Sequence, residues 1–166
     1  MSKKYKILND PDQHSLNNSD GDYFRRHDLI AQTPDGLIRV RGVNPIDNPR
    51  KIKGKWSLQY NDMIKRTDYD IVNGASIPWF AQWLISKSGK WNRSSDFHDV
   101  GYARGGIEFF INGRWIFQKK SRTWFDNLYL ELMASRNVAR WNRKTQYEIL
   151  KTCGWYRWNQ CRKLNP

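Results

Sequence analysis

The chain has 166 residues, about one domain's worth, and a domain of this size buries roughly two thirds of its unfolded surface without staples. Its two cysteines, Cys153 and Cys161, match no zinc spacing and no disulfide framework, and no apolar run reaches bilayer length, which excludes the disulfide-rich and membrane-spanning classes. Lys and Arg number 29 against 16 Asp and Glu, a net charge of +13, and nine Trp and eight Tyr are spread among them; such a surface attracts phosphate-bearing or acidic partners without naming one.

Residues 1–28 are polar, with a loop at Asn17–Asp22, and are expected to form a flexible arm in which His14 and His27 are solvated. The basic start, Met1–Lys6, leads into no apolar signal core, so a soluble protein made in the cytosol is expected. Residues 29–166 are expected to form a single α+β domain. Strand signals at Gly36–Arg41, Lys55–Tyr60 and Tyr69–Val72, punctuated by Pro34-Asp35-Gly36 and two Asn-Pro steps, predict a small antiparallel sheet. Arg50–Lys55 between them reads as a basic hairpin or loop.

The pattern then turns helical. Pro78–Ser86, with Ser76 as its cap, predicts a helix ending before Gly89. A second runs from about Ser95 to Ala103, capped by Ser94 or Ser95 and stopped by Gly105-Gly106. Asn112-Gly113 between two apolar runs predicts a β-hairpin inserted between helices. Ser121 to about Arg136 is the longer helix: Trp124, Phe125, Leu128, Leu132 and Met133 face the core, and Asp126, Tyr129 and Leu130 flank that stripe. A last helix is predicted from about Arg143 to Thr152, with Cys153 buried and Gly154 near its end, followed by an aromatic and basic tail, Trp155–Lys163.

The residues that carry chemistry lie in Phe97–Tyr102. On a helix, His98 and Tyr102 share one face, four residues apart, while Asp99 points to the neighbouring face. An imidazole can act as general base near neutral pH, an adjacent carboxylate can hold a hard cation, and a second carboxylate can orient the imidazole. Asp126 is the candidate orienter.

Taken in order, Asn73-Gly74-Ala75-Ser76-Ile77-Pro78, then His98-Asp99-Val100-Gly101-Tyr102, then Arg122–Met133, then Tyr147–Gly154 resemble the phage, prophage and bacterial family termed domain of unknown function 1353, which carries no settled activity. The resemblance covers roughly residues 55–155. More distantly, the His-Asp helix followed by an Asp-bearing helix is similar to the catalytic helices of prokaryotic phospholipase A2, and the loop at Asn73–Pro78 is similar to their calcium loop.

That second resemblance implies a phospholipase A2-like helical core in which His98 takes a proton from water and Asp126 stabilises the imidazolium. Tyr102 would hydrogen-bond Asp126, while Asp99, Asn73, Gly74 and Ser76 would hold Ca²⁺. Phe97 and Phe125 stand where those enzymes place cysteines, so the pairing of the helices must rest on packing. The function expected is calcium-assisted ester hydrolysis on anionic phospholipid. The alternative is a phage virion structural or assembly protein, made in the host cytoplasm, that keeps the His-Asp network without catalysis and meets other virion proteins. Weak, sequence-independent nucleic-acid binding would also explain the charge. A His-Asp metal phosphohydrolase would need a further ligand from His14 or His27 and ranks last.

Overall fold

Apolar residues at every second position build the first strands of the sheet. Leu29, Ala31 and Thr33 point inward from one strand, Ile38 and Val40 from the next, and each is fully buried or nearly so. In the computed structural model, residues 5–11, 13–15, 23–25, 27–42, 50–52, 55–57, 70, 72 and 92–164 are described. The elements in chain order are β1 (Lys6–Ile7), β2 (Gln13–Ser15), β3 (Tyr23–Arg25), β4 (Leu29–Thr33), β5 (Gly36–Val40), β6 (Arg50–Ile52), β7 (Lys55–Ser57), α1 (Asn92–Arg104), β8 (Gly106–Ile111), β9 (Arg114–Lys119), α2 (Arg122–Ser135) and α3 (Arg140–Leu164).

The protein is α+β. Its main sheet has five antiparallel strands in the order β1-β4-β5-β8-β9, and two further two-stranded sheets pair β2 with β3 and β6 with β7. The pairing of β6 with β7 shows that the basic segment after Arg50 is a hairpin. In the β8–β9 turn, Asn112 and Gly113 both have positive φ, at 50° and 80°, the geometry that lets two twisted strands return on themselves. That hairpin is no insertion: Ile38 pairs with Phe109 and Arg39 with Glu108, so β8 continues the sheet begun by the N-terminal strands. Its buried residues, Ile107 and Phe109, extend the same inner face.

Parts of the segment expected as an arm are described. Residues 6–7 join the main sheet opposite Ala31 and Gln32, and Arg25 is fully buried. Residues 13–15 and 23–25 pair with each other.

All three helices among the described residues pack on one another, and α1 lies against the sheet through Phe97 and Val100. Helix α1 begins at Asn92, earlier than predicted, so Ser94 and Ser95 are buried inside it rather than standing at its N-terminal cap. It stops where expected, at Gly105, which takes φ 67° and donates its N–H to Gly101 O. Two carbonyls of its last turn, those of Tyr102 and Ala103, accept from Arg162 Nη2 at 2.8 and 2.7 Å. Helix α2 has Ser121 as its cap, the side chain accepting from Trp124 N. Tyr129, predicted to flank the stripe, is buried with it.

Helix α3 runs 25 residues without ending at Gly154, so the predicted tail is helical. The glycine is used for close approach: a Cβ there would lie 2.6 Å from Tyr102 Oη. Cys153 is half-buried, less enclosed than expected. No described helix is long and apolar enough to cross a membrane. The predicted helix at Pro78–Ser86 and its cap Ser76 lie outside the described residues.

A candidate His-Asp site between three helices

Close contact between α1 and α2 follows from a residue pair that the sequence places without advertising it. At Gly101, a Cβ would sit 2.2 Å from the ring of Phe125, so only a glycine lets that ring lie flat against the α1 backbone. Packing therefore holds the pair of helices, and it brings His98 and Asp126 to face one another across them.

His98 Nε2 lies 3.2 Å from Asp126 Oδ1, and the same oxygen accepts a hydrogen bond from Tyr102 Oη at 2.7 Å. Asp126 Oδ2 faces the guanidinium of Arg122, with Nε at 3.9 Å, and Arg122 Nη1 donates to Leu150 O of α3. Asp126 is 2% exposed and His98 9%. A carboxylate so enclosed is tolerable only because donors surround it.

Two tyrosine rings pack against the imidazole. Its centroid is 4.1 Å from that of Tyr102 and 5.4 Å from that of Tyr129, both tilted. Tyr129 Oη donates to Gln146, whose Nε2 donates to Asn142 Oδ1 at 2.6 Å, a buried chain that ties α2 to α3. With Nε2 directed at a carboxylate, the tautomer is fixed: Nε2 carries the proton of the neutral ring and Nδ1 its lone pair. Nδ1 is turned toward Asp99, at 3.9 Å from Oδ1.

Burial opposes charge on His98, but the carboxylates of Asp126 and Asp99 together outweigh it, and the pKa is raised above the ordinary histidine value. Burial, reinforced by Asp126, pushes the Tyr102 phenol well above its usual range. Tyr129 is raised as well, by burial and then by the charge of Asp99. Both phenols therefore remain neutral donors across the physiological range.

The structure thus brings His98, Asp126 and Tyr102 into one hydrogen-bonded group with Asp99 on the far side of the ring. Asn73, Gly74 and Ser76, the other expected calcium ligands, lie outside the described residues. Among the described residues no group of three or more His, Cys, Asp or Glu side chains is arranged to hold a metal. His27 is exposed and distant in role from the site, and the side chain of His14 lies outside what is described.

Sequence reasoning missed Arg122, Tyr129 and Gln146. Arg122 carried a signal, standing four residues before Asp126 on the same helix. Gln146 stands four residues after Asn142 on α3, but its link to Tyr129 carried no signal, because Tyr129 comes from another helix.

The family model described as "Protein of unknown function (DUF1353)" matches residues 57–149, more than half of the chain, and the chain belongs to that family. No curated protein and no solved structure matches it.

Proposed function

We propose that this member of the DUF1353 family hydrolyses an acyl ester of phospholipid, in the manner of prokaryotic phospholipase A2, with His98 as general base. The observation that carries the reading is the double use of Asp126 Oδ1, which accepts from His98 Nε2 and from Tyr102 Oη and so turns the lone pair of Nδ1 away from the carboxylate.

In this scheme a water beside Nδ1 attacks the ester carbonyl while Nδ1 takes its proton. Asp126 stabilises the resulting imidazolium through Nε2–H, and Tyr102 holds the carboxylate in place. Collapse of the tetrahedral intermediate breaks the acyl C–O bond; the proton on Nδ1 passes to the leaving alkoxide, giving a lysophospholipid and a fatty acid. Asp99 has the hard oxygen chemistry suited to calcium, with Asn73, Gly74 and Ser76 as the other expected donors. When bound there, calcium would supply polarisation of the ester carbonyl.

A second reading has an observation of its own. Tyr102, Asp126 and Tyr129 are all buried, and their hydrogen bonds cross all three helices. Such a network fixes helix register, as a phage virion structural or assembly protein would require.

His98→Gln separates the two, since it keeps a polar group and removes the base. With phospholipid vesicles and millimolar calcium, the esterase reading expects a loss of about a hundredfold or more in rate with little change in melting temperature. Pure wild-type protein that releases no fatty acid, with calcium or with chelator, would end the esterase reading.

A further inference from the structure

Helix α3 carries seven cationic residues and one acidic residue, Glu148. Most of its inward face is spent on the core: Trp158 packs edge-on against Tyr102 and tilted against Phe125, and Asn142, Gln146 and Gly154 are buried. The outward face is a different surface. Trp141 is 62% exposed, Trp155 55% and Tyr156 60%, the largest exposures among the large hydrophobic side chains of the described residues.

Trp141, Trp155 and the exposed cations Lys144 and Lys151 share one stripe, with Tyr156 about 100° round the helix from its centre. At 100° per residue, Trp141, Lys144, Glu148 and Lys151 fall within about 40° to either side of Trp155, with Arg140 and Lys163 flanking. The two tryptophans stand fourteen residues apart, about 21 Å along the axis at 1.5 Å per residue. Trp155 and Tyr156 touch edge to face at 6.0 Å, and Lys151 reaches Glu148 only at 3.9 Å in an exposed pair that neutralises little.

We infer that this face of α3 is the surface by which the protein docks on a bilayer containing anionic phospholipid. Charge complementarity selects the occupant: cations in line attract a plane of phosphates, and amphipathic indoles between them suit the headgroup boundary, where one edge is apolar and the other wet. A single helix face offers a line of side chains. A nucleic-acid strand bound through its backbone would instead call for a basic groove that tracks it. The inference rests on the phospholipid reading for its purpose, but binding and hydrolysis are separable.

The test uses the full-length protein and vesicles of ether-linked lipids, which present the same headgroups but no acyl ester. Vesicles of equal phosphatidylglycerol and phosphatidylcholine should bind the protein with a blue shift of Trp emission. Pure phosphatidylcholine should bind it far more weakly, and affinity should fall as salt rises. Trp141→Ser with Trp155→Ser, and separately Lys144→Glu with Lys151→Glu, should each weaken binding about tenfold or more while the melting temperature holds. If charge reversal lowers the melting temperature, Lys144→Gln with Lys151→Gln replaces it.

Binding that is absent, or equal in wild type and both variants, overturns the assignment. So does binding to a single-stranded oligonucleotide that is lost in the variants while vesicles are ignored. Hydrolysis of a soluble, monomeric short-chain phospholipid tests the esterase reading by itself: activity there without vesicle binding removes only the docking surface, and vesicle binding without activity removes only the enzyme.

Discussion

Asp126 decides what His98 can do, because one of its oxygens serves two donors. Asp126→Asn would keep the shape, but the amide can present its NH₂ to Nε2, which then has to accept and leaves the proton on Nδ1. The expected result is a loss of activity close to that of His98→Gln, about a hundredfold or more, with the fold retained by circular dichroism. Tyr102→Phe removes one donor to a buried carboxylate; urea unfolding should show a loss of about 1.5–3 kcal/mol, and activity should fall less than in Asp126→Asn. The raised pKa of His98 also sets a direction with pH. A group whose folded pKa lies above its unfolded value adds stability that is complete below the unfolded value, about 6.5, and is lost as pH rises through the folded one. Measured in chelator, wild type should therefore exceed His98→Gln in stability by most near about pH 5.5, the gap closing toward alkaline pH. Activity should run the opposite way, its acid limb lying above the ordinary histidine range, since the base must be neutral. A gap that widened with pH would contradict the charge assignment. At this scale much is legible: the four-residue step from His98 to Tyr102 and the acid on the next helix are enough to assemble the group, whereas the bond from Tyr129 to Gln146 depends on how α3 crosses α2.

Helix contacts depend on two glycines that sequence rules would assign to other jobs. Gly101 lies inside α1, where glycine weakens a helix by about 1 kcal/mol relative to alanine, yet a Cβ there would enter the ring of Phe125. Gly154 lies inside α3, where a Cβ would meet Tyr102 Oη at 2.6 Å and Arg122 Nη1 at 3.4 Å. Gly101→Ala should therefore destabilise by about 1–3 kcal/mol in spite of its better helix propensity, because the ring has to leave the α1 backbone. Gly154→Ala is a sharper probe: the clash falls on the hydroxyl that serves Asp126, so activity should drop more than stability. The same contact explains why the sequence predicts too short a C-terminal helix. A glycine after Leu150 reads as a stop signal when its neighbour in space is unknown, and the anchor that keeps the helix going, Arg162 on the last carbonyls of α1, is sixty residues away in sequence from Tyr102. The β8–β9 hairpin was legible from Asn112-Gly113, but its place in the main sheet was not, because the pairing of Ile38 with Phe109 joins strands separated by the whole of α1.

Across the whole molecule, a buried ion pair ties the N-terminal segment to the site-bearing helix, where Arg93 also pairs with Asp10. Arg25 Nε donates to Asp96 Oδ2 at 2.8 Å, Nη2 contacts the same oxygen, Nη1 donates to Pro11 O at 3.2 Å, and both side chains are fully buried. In sequence, Arg25 stands in a polar stretch beside Arg26 and reads as solvated; nothing local marks it as the partner of an aspartate two residues before His98. Removing one member takes away the opposite charge that this contact gives the other, which stays buried, at a cost of about 3–5 kcal/mol, whereas removing both takes the two charges out together. Arg25→Met and Asp96→Leu should thus each lower stability strongly in urea unfolding, and the double variant should be more stable than either single one. Because α1 carries His98 at the far end of this contact, the single variants should also loosen the ring, and activity should fall with stability and recover in the double variant. If the two substitutions simply add, the pair does not act as a unit and residues 1–28 contribute nothing to the position of α1 through it.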